Sequence, residues 1–115
     1  MFDFQNLEVY KKSTSLHISL KAISRSSGLN KIIADQLFRA SLSIPLNVAE
    51  GSGRLTAKDR RNFFIIARAS VFECLAILDS IINENHFSEI HYSNLINDAD
   101  EISRMLYTMI KNLKS

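Results

Sequence analysis

Residues 37–68 read LFRASLSIPLNVAEGSGRLTAKDRRNFFIIAR, and this stretch decides how the chain folds. It holds the only proline, Pro45, and two of the three glycines, Gly51 and Gly53. Ahead of the glycines, Ile33, Leu37, Ala40, Ile44 and Val48 recur at helical spacing. Asn30 is placed to cap that helix at its start. Pro45 removes one backbone hydrogen bond and predicts a bend near Ser41. Gly51-Ser52-Gly53 is read as the stop, with Gly51 in a left-handed position just past the last turn. Thr56 then caps a new helix, with Asp59 three residues on. Its apolar residues form two stripes. One is Phe64, Ala67, Val71, Leu75, Leu78 and Ile82; the other is Phe63, Ile66, Ser70, Ile77 and Ile81. Ile65 and Phe72 add a third apolar side, so this helix is expected to meet neighbours on several sides, one of them another subunit.

The flanking segments are simpler. From about Phe4 to Arg25, Val9, Ser13, Leu16, Leu20 and Ile23 recur at steps of 4, 3, 4 and 3. Leu7, Tyr10 and Thr14 widen that face, and Gly28 closes the helix in a left-handed conformation. After a break at Asn85-His86-Phe87-Ser88, the residues Tyr92, Leu95, Ala99, Ile102, Leu106, Met109 and Leu113 alternate steps of 3 and 4. That heptad is the signature of bundle packing. Four long helices with short connections predict an all-α, antiparallel, up-down-up-down four-helix bundle occupying residues 1–115 as one domain.

Composition excludes several classes. Apolar residues make up 46% and charged residues 23% of 115 residues, too apolar for a disordered chain. A single cysteine cannot form an internal disulfide, and the N-terminus lacks the order of a signal peptide, so a cytoplasmic protein is expected. No apolar run reaches the ~18 residues of a membrane span. The net charge of +2 conceals an uneven distribution. Between Arg54 and Arg68 stand five basic residues and one acid; between Ala69 and Ser103 stand seven acids and no lysine or arginine.

No catalytic constellation is visible. His86 and His91 are five residues apart, which fits neither helical spacing for a shared metal. Cys74 has no basic neighbour to lower its pKa and reads as a buried thiol. There is no phosphate loop and no nucleophile elbow. Neither an enzyme nor a cofactor or metal is expected. Glu73 stands beside an apolar stripe and calls for a partner, with Arg39 or Asn47 as candidates. Asp35 and Arg39 are spaced to pair on the surface. Glu50, near a helix end of unfavourable dipole, is expected to pair with Arg54.

The strongest functional signal is basic. Lys58, Arg61 and Arg68 share one helix face, with Arg54 just before them and Arg60 to one side. Guanidinium groups in a row suit spaced phosphates, because each presents a planar fork of donors. The plain alternative is a solvated face, or salt bridges to the acidic region of a neighbouring subunit.

Three strings of residues carry a resemblance. The first is Leu37 through Gly51 followed by Arg54, with Arg39-Ala40 upstream of Asn47-Val48-Ala49-Glu50-Gly51. The second is Phe63 through Glu73, with Ala67, Ser70 and Glu73 at steps of three. The third is the opening Phe4-Gln5-Asn6-Leu7-Glu8-Val9-Tyr10. Together they resemble the four-helix-bundle family named for proteins encoded in 23S ribosomal RNA intervening sequences, which also takes in the accessory variability proteins of diversity-generating retroelements. The resemblance implies a homopentamer with Asn47, Glu50, Gly51, Ser70 and Glu73 as motif positions. For the retroelement members it implies a basic surface for nucleic acid and a reverse transcriptase as partner. The chain departs from the pattern at Phe38, where a second arginine is usual, and at Ala69, where glycine is usual. The resulting expectation is a non-enzymatic, oligomeric scaffold binding RNA or an RNA–DNA hybrid through Arg39, Arg54, Lys58, Arg60, Arg61 and Arg68. The alternative is a protein-interaction module that docks a reverse transcriptase or a ribosomal component without touching nucleic acid.

Overall fold

Short side-chain caps set where the helices begin. In the computed structural model, which describes residues 2–26, 28–84 and 88–113, there are four long helices. They are α1 (Glu8–Ser24), α2 (Lys31–Ser52), α3 (Ala57–Ile81) and α4 (Glu89–Asn112). The described residues contain no strand. Asn30 accepts from the backbone N–H groups of Ile32 (2.8 Å) and Ile33 (3.3 Å), opening α2. Thr56 accepts from Asp59 N–H at 3.1 Å to open α3, and Ser88 from His91 N–H at 3.1 Å to open α4. Each satisfies a donor that the first helical turn leaves without a partner.

The start of α1 differs from expectation. The chain does not enter the helix at Phe4. A 3-10 turn occupies Asp3–Asn6, where the Phe2 N–H donates to Gln5 Oε1 at 2.7 Å, and Leu7 is extended before α1 begins. A second short turn, Ile82–Glu84, extends α3. Gly28 does take a positive φ of 90°, but it lies in the loop rather than immediately after α1. The end of α1 is instead held by the hydroxyls of Ser24 and Ser26, which donate to the carbonyls of Lys21 and Ile23.

The helical stripes meet in one core. Val9, Leu16, Leu20 and Ile23 from α1 join Leu37, Ala40, Ile44 and Val48 from α2. Phe64, Ala67, Val71 and Leu78 from α3, and Leu95, Ala99, Ile102 and Leu106 from α4, complete it. Fully burying one such Leu, Ile or Val contributes roughly 1.5–3 kcal/mol relative to exposure. Every helix packs on two others: α1 on α2 and α4, α3 on α2 and α4. The α2–α3 contact is the most extensive. The molecule measures 45 × 23 × 22 Å, so its long axis is little more than the ~38 Å of a 25-residue helix. Pro45 is buried within α2, which runs on to Ser52. Among the described residues no helix is long and apolar enough to cross a membrane.

Candidate nucleic-acid interface

The end of α2, the start of α3, the N-terminal turn and the end of α4 come together at one end of the molecule. Contacts of Arg54, Arg60 and Arg61 join the three helix ends, and the N-terminal turn packs on α2 beside them. Arg60 Nε donates to the Arg54 carbonyl at 2.7 Å, across the α2–α3 turn. Arg61 Nη2 donates to the carbonyl of Leu113, just past α4. That carbonyl is one of those a helix end leaves without an internal partner, and a cation beside it also suits the negative end of the helix dipole. Arg54 Nη2 pairs with Glu50 Oε1 at 2.6 Å, as expected, and its guanidinium lies 4.6 Å from the centre of the Phe63 ring.

Lys58 and Arg60 are exposed in the first turn of α3. Cations there oppose the positive end of the helix dipole, so they do not contribute to helix stability. Lys58 makes no ion pair among the described residues, and both terminal nitrogens of Arg60 are likewise without a partner there. These two groups are therefore available to an anion.

The rest of the row is differently employed. Arg61 and Arg68 both turn toward α4. Arg68 Nε donates to the Ser103 carbonyl at 3.3 Å, and its guanidinium sits 4.9 Å from the Phe72 ring and 5.5 Å from the Tyr107 ring. Arg61 and Arg68 are half-buried fasteners between α3 and α4. Arg39 is exposed on α2, 13 residues before Ser52, or about 20 Å along the helix from the basic end. The expected pair of Arg39 with Asp35 is not formed; both side chains are exposed, where such a pair gains little.

The motif residues lie on the other side of α3, along its seam with α2. Asn47 Nδ2 donates to Ser43 Oγ (2.9 Å) and to the Ser43 carbonyl (2.8 Å). Ser43 and Ser70 hydroxyls meet at 2.8 Å, and Ser70 Oγ donates to the Ile66 carbonyl at 3.0 Å. Each of the two hydroxyls can donate once and accept once: Ser43 Oγ accepts from Asn47, and Ser70 Oγ donates to the Ile66 carbonyl. Glu73 is bonded to the amide of Gln36, not to Arg39 or Asn47, and it is exposed, so it carries no cost of burial. Gln36 and Ser43 were missed by sequence reasoning. The i,i+4 spacing of Ser43 and Asn47 was the available signal for one of them.

Gly51 is the clearest correction. It lies inside α2, and positive φ belongs to Gly28 alone among the described glycines. The helix ends at Gly53, whose N–H bonds the carbonyls of Ala49 (3.2 Å) and Glu50 (3.1 Å) in a right-handed conformation. Gly51 serves proximity. A Cβ there would stand 2.7 Å from Phe64 Cε1 and 3.0 Å from Phe63 Cβ. The absent side chain is what lets α3 approach α2 so closely.

The remaining candidates stay within the fold. Cys74 is buried, and burial, with Glu73 adding to it, pushes its thiol up to about 12. His17 Nδ1 meets Ser41 Oγ at 2.8 Å between α1 and α2, and burial followed by the charge of Lys21 holds its pKa below the ordinary value. His86, paired with His91 in the sequence, lies outside the described residues. Among the described residues no group of three or more potential ligands is gathered for a metal.

No protein of curated function matches this chain. A solved structure from Bacteroides thetaiotaomicron VPI-5482, described as a protein with unknown function from the S23 ribosomal protein family, is similar with a TM-score of 0.82. The two are 23% identical over 90% of this chain and 99% of that one, a likeness that speaks to the fold. The stretch 5–108 matches the 23S rRNA-intervening sequence protein family, and the chain therefore belongs to that family.

Proposed function

We propose that this protein is a non-enzymatic, homo-oligomeric scaffold that holds RNA, or an RNA–DNA hybrid, by its phosphate backbone. The observation that carries the reading is the basic end. There Lys58 and Arg60 stand exposed at the positive terminus of α3, where they do not stabilise the helix, beside Arg54 and Arg61. The family's link to a 23S rRNA intervening sequence agrees with an RNA ligand. Assembly is supported by α3, which exposes Ile65, Ile66 and Phe72 at nearly half their surface each. In this reading the helices run up-down-up-down in a single cytoplasmic domain, and five copies form a ring that repeats the basic end, so weak phosphate contacts add by avidity.

The second reading, a module docking a reverse transcriptase or ribosomal component, is favoured by one feature. Ile65, Phe72, Tyr107 and Ile110 line an open apolar groove of about 370 Å³ around Arg68, on the outer side of α3 and α4.

A titration of structured RNA at two salt concentrations tests the first reading. Affinity should fall steeply with salt, roughly 0.7–0.9 in log K per log salt for each phosphate neutralised. Reversing charge at Lys58 and Arg60 together should abolish binding with helicity and sedimentation unchanged. A double variant that binds with the same salt slope refutes the site. One that keeps RNA but loses a protein partner favours docking. A wild-type mass of 13.1 kDa at micromolar concentration removes the oligomer.

A further inference from the structure

The basic end holds a cleft as well as cations. An open groove of about 440 Å³ runs between the N-terminal turn, the end of α2, the start of α3 and the last turn of α4. That volume lies within the ~300–1,000 Å³ common for small-molecule sites. Its apolar lining includes Phe4, Leu7 and Met109, all half-buried. Its polar lining is Asp3, Arg60 and Asn112, all exposed, and Ser52, half-buried with its hydroxyl donated to the Val48 carbonyl. Phe4 is anchored, because Tyr10 meets its ring edge-on with centres 4.9 Å apart. Arg60 is oriented, because its Nε is tied to the Arg54 carbonyl. Asp3 and Asn112 side chains have no hydrogen bond or ion pair among the described residues.

The groove therefore offers a fixed aromatic ring and a thioether on one side and a directed guanidinium at the rim. A carboxylate acceptor and an amide complete it. A phosphate alone would use only the guanidinium. An apolar ligand would leave the polar rim idle. One flat, partly apolar group with an edge of donors and an attached phosphate uses all of it. We infer that this groove receives a single unpaired nucleobase, packed against Phe4 and Met109, with its phosphate on Arg60 and its amino edge toward Asp3. The inference rests on the basic end being the nucleic-acid surface, and it narrows the ligand to RNA with an unpaired base. A base inside a duplex is stacked and paired, so a blunt helix could touch the rim but not enter. The carboxylate favours bases that carry an exocyclic amino group over uracil, which presents none.

The test uses the whole protein and two probes at one low salt concentration. One is a blunt RNA hairpin; the other is the same hairpin with an unpaired extension containing 2-aminopurine. The extended probe should bind about ten-fold more tightly, and its 2-aminopurine fluorescence should be quenched on binding. Phe4→Leu should remove the preference and the quenching while leaving affinity for the blunt hairpin unchanged. Phe4→Tyr should retain both. Because Phe4 also packs on Tyr10, Asp3→Asn supplies a second variant on an exposed group. It should reduce the preference for cytosine over uracil in the extension. Equal affinity for the two probes in the wild type, or a preference that survives both Phe4→Leu and Asp3→Asn, overturns the groove. Salt-dependent hairpin binding would then still stand for the backbone reading. Failure of both probes to bind at low salt overturns the groove and the backbone reading together.

Discussion

Helix α3 has two seams, and they are built on opposite plans. Toward α2, the seam uses short residues: Gly51 against Phe63 and Phe64, and the hydroxyls of Ser43 and Ser70 in direct contact. Toward α4, it uses the longest side chain available. Arg61 and Arg68 reach across to the carbonyls of Leu113 and Ser103. The difference follows from separation. A hydroxyl can meet a hydroxyl at 2.8 Å only if the backbones are close, and closeness is what a missing Cβ permits. Where helices stand further apart, a guanidinium spans the gap and its stem covers apolar surface on the way. Gly51, Ser43 and Ser70 thus mark the close seam, while the basic row is half occupied in holding the wide one.

The close seam is most sensitive at Gly51. Gly51→Val should cost about 1–3 kcal/mol, because the new side chain meets the buried Phe64 ring. Urea denaturation measures this. Gly51→Ala separates proximity from backbone conformation. Alanine gains ~1 kcal/mol over glycine in a helix interior, so only crowding can make it unfavourable. Phe64→Leu should relieve Gly51→Ala in a double-mutant cycle. If Phe64→Leu brings no relief, the close-approach account fails.

Arg68→Met probes the wide seam. It keeps most of the stem and removes the charge, losing the bond to the Ser103 carbonyl and the contacts with Phe72 and Tyr107. A loss of about 1–2 kcal/mol is expected from one charged hydrogen bond and two partly exposed cation–ring contacts. RNA affinity should change little, because the guanidinium already has its partners. A large loss of affinity at full stability would return Arg68 to the ligand surface.

Why some of this was legible and some not has a physical reason. A stripe such as Val9, Ser13, Leu16, Leu20 and Ile23 names a buried face whatever lies opposite, and all five are buried. The caps at Asn30 and Thr56 are local, so they too could be read. Gly51 could not, because a glycine ending a turn and a glycine admitting a neighbour look alike until the neighbour, Phe64, is in place. Likewise the spacing of Lys58, Arg61 and Arg68 fixes that they share a face, but not that α4 stands before Arg61 and Arg68. The apolar sequence neighbours of Glu73 point to Arg39 or Asn47 as a partner; its own side chain is exposed and meets Gln36. The groove at the basic end draws on four separate segments and has no local signature.

Ser70→Ala tests the hydroxyl chain of the close seam. It leaves Ser43 without one partner and frees the second acceptor site of the Ile66 carbonyl. Ser43 is half-buried and can turn to water, so the expected loss is about 0.5–1.5 kcal/mol. Restoring a hydroxyl with Ser70→Thr should recover part of it, which thermal denaturation of the three proteins would show. An Ala variant as stable as the wild type would mean that the chain sets geometry without adding stability.

The smallest effect belongs to Glu50, at the end where the two plans meet. Its carboxylate pairs with Arg54 one turn on, and both side chains are about half exposed, at 52% and 45%. An exposed i,i+4 pair contributes only about 0.3–0.5 kcal/mol, and salt screens it. The last turn of α2 also disfavours a negative charge, so Glu50→Gln relieves one interaction as it loses the other. The expected outcome is a loss of no more than about 0.5 kcal/mol at low salt, vanishing at high salt. Arg54→Ala should cost more than Glu50→Gln, because it also removes the guanidinium from the Phe63 ring. In RNA titration the order should invert. Glu50→Gln frees Arg54 and removes a negative charge from the basic end, so affinity should rise slightly. Weaker binding by Glu50→Gln would show that the pair holds Arg54 in place for its ligand rather than restraining it.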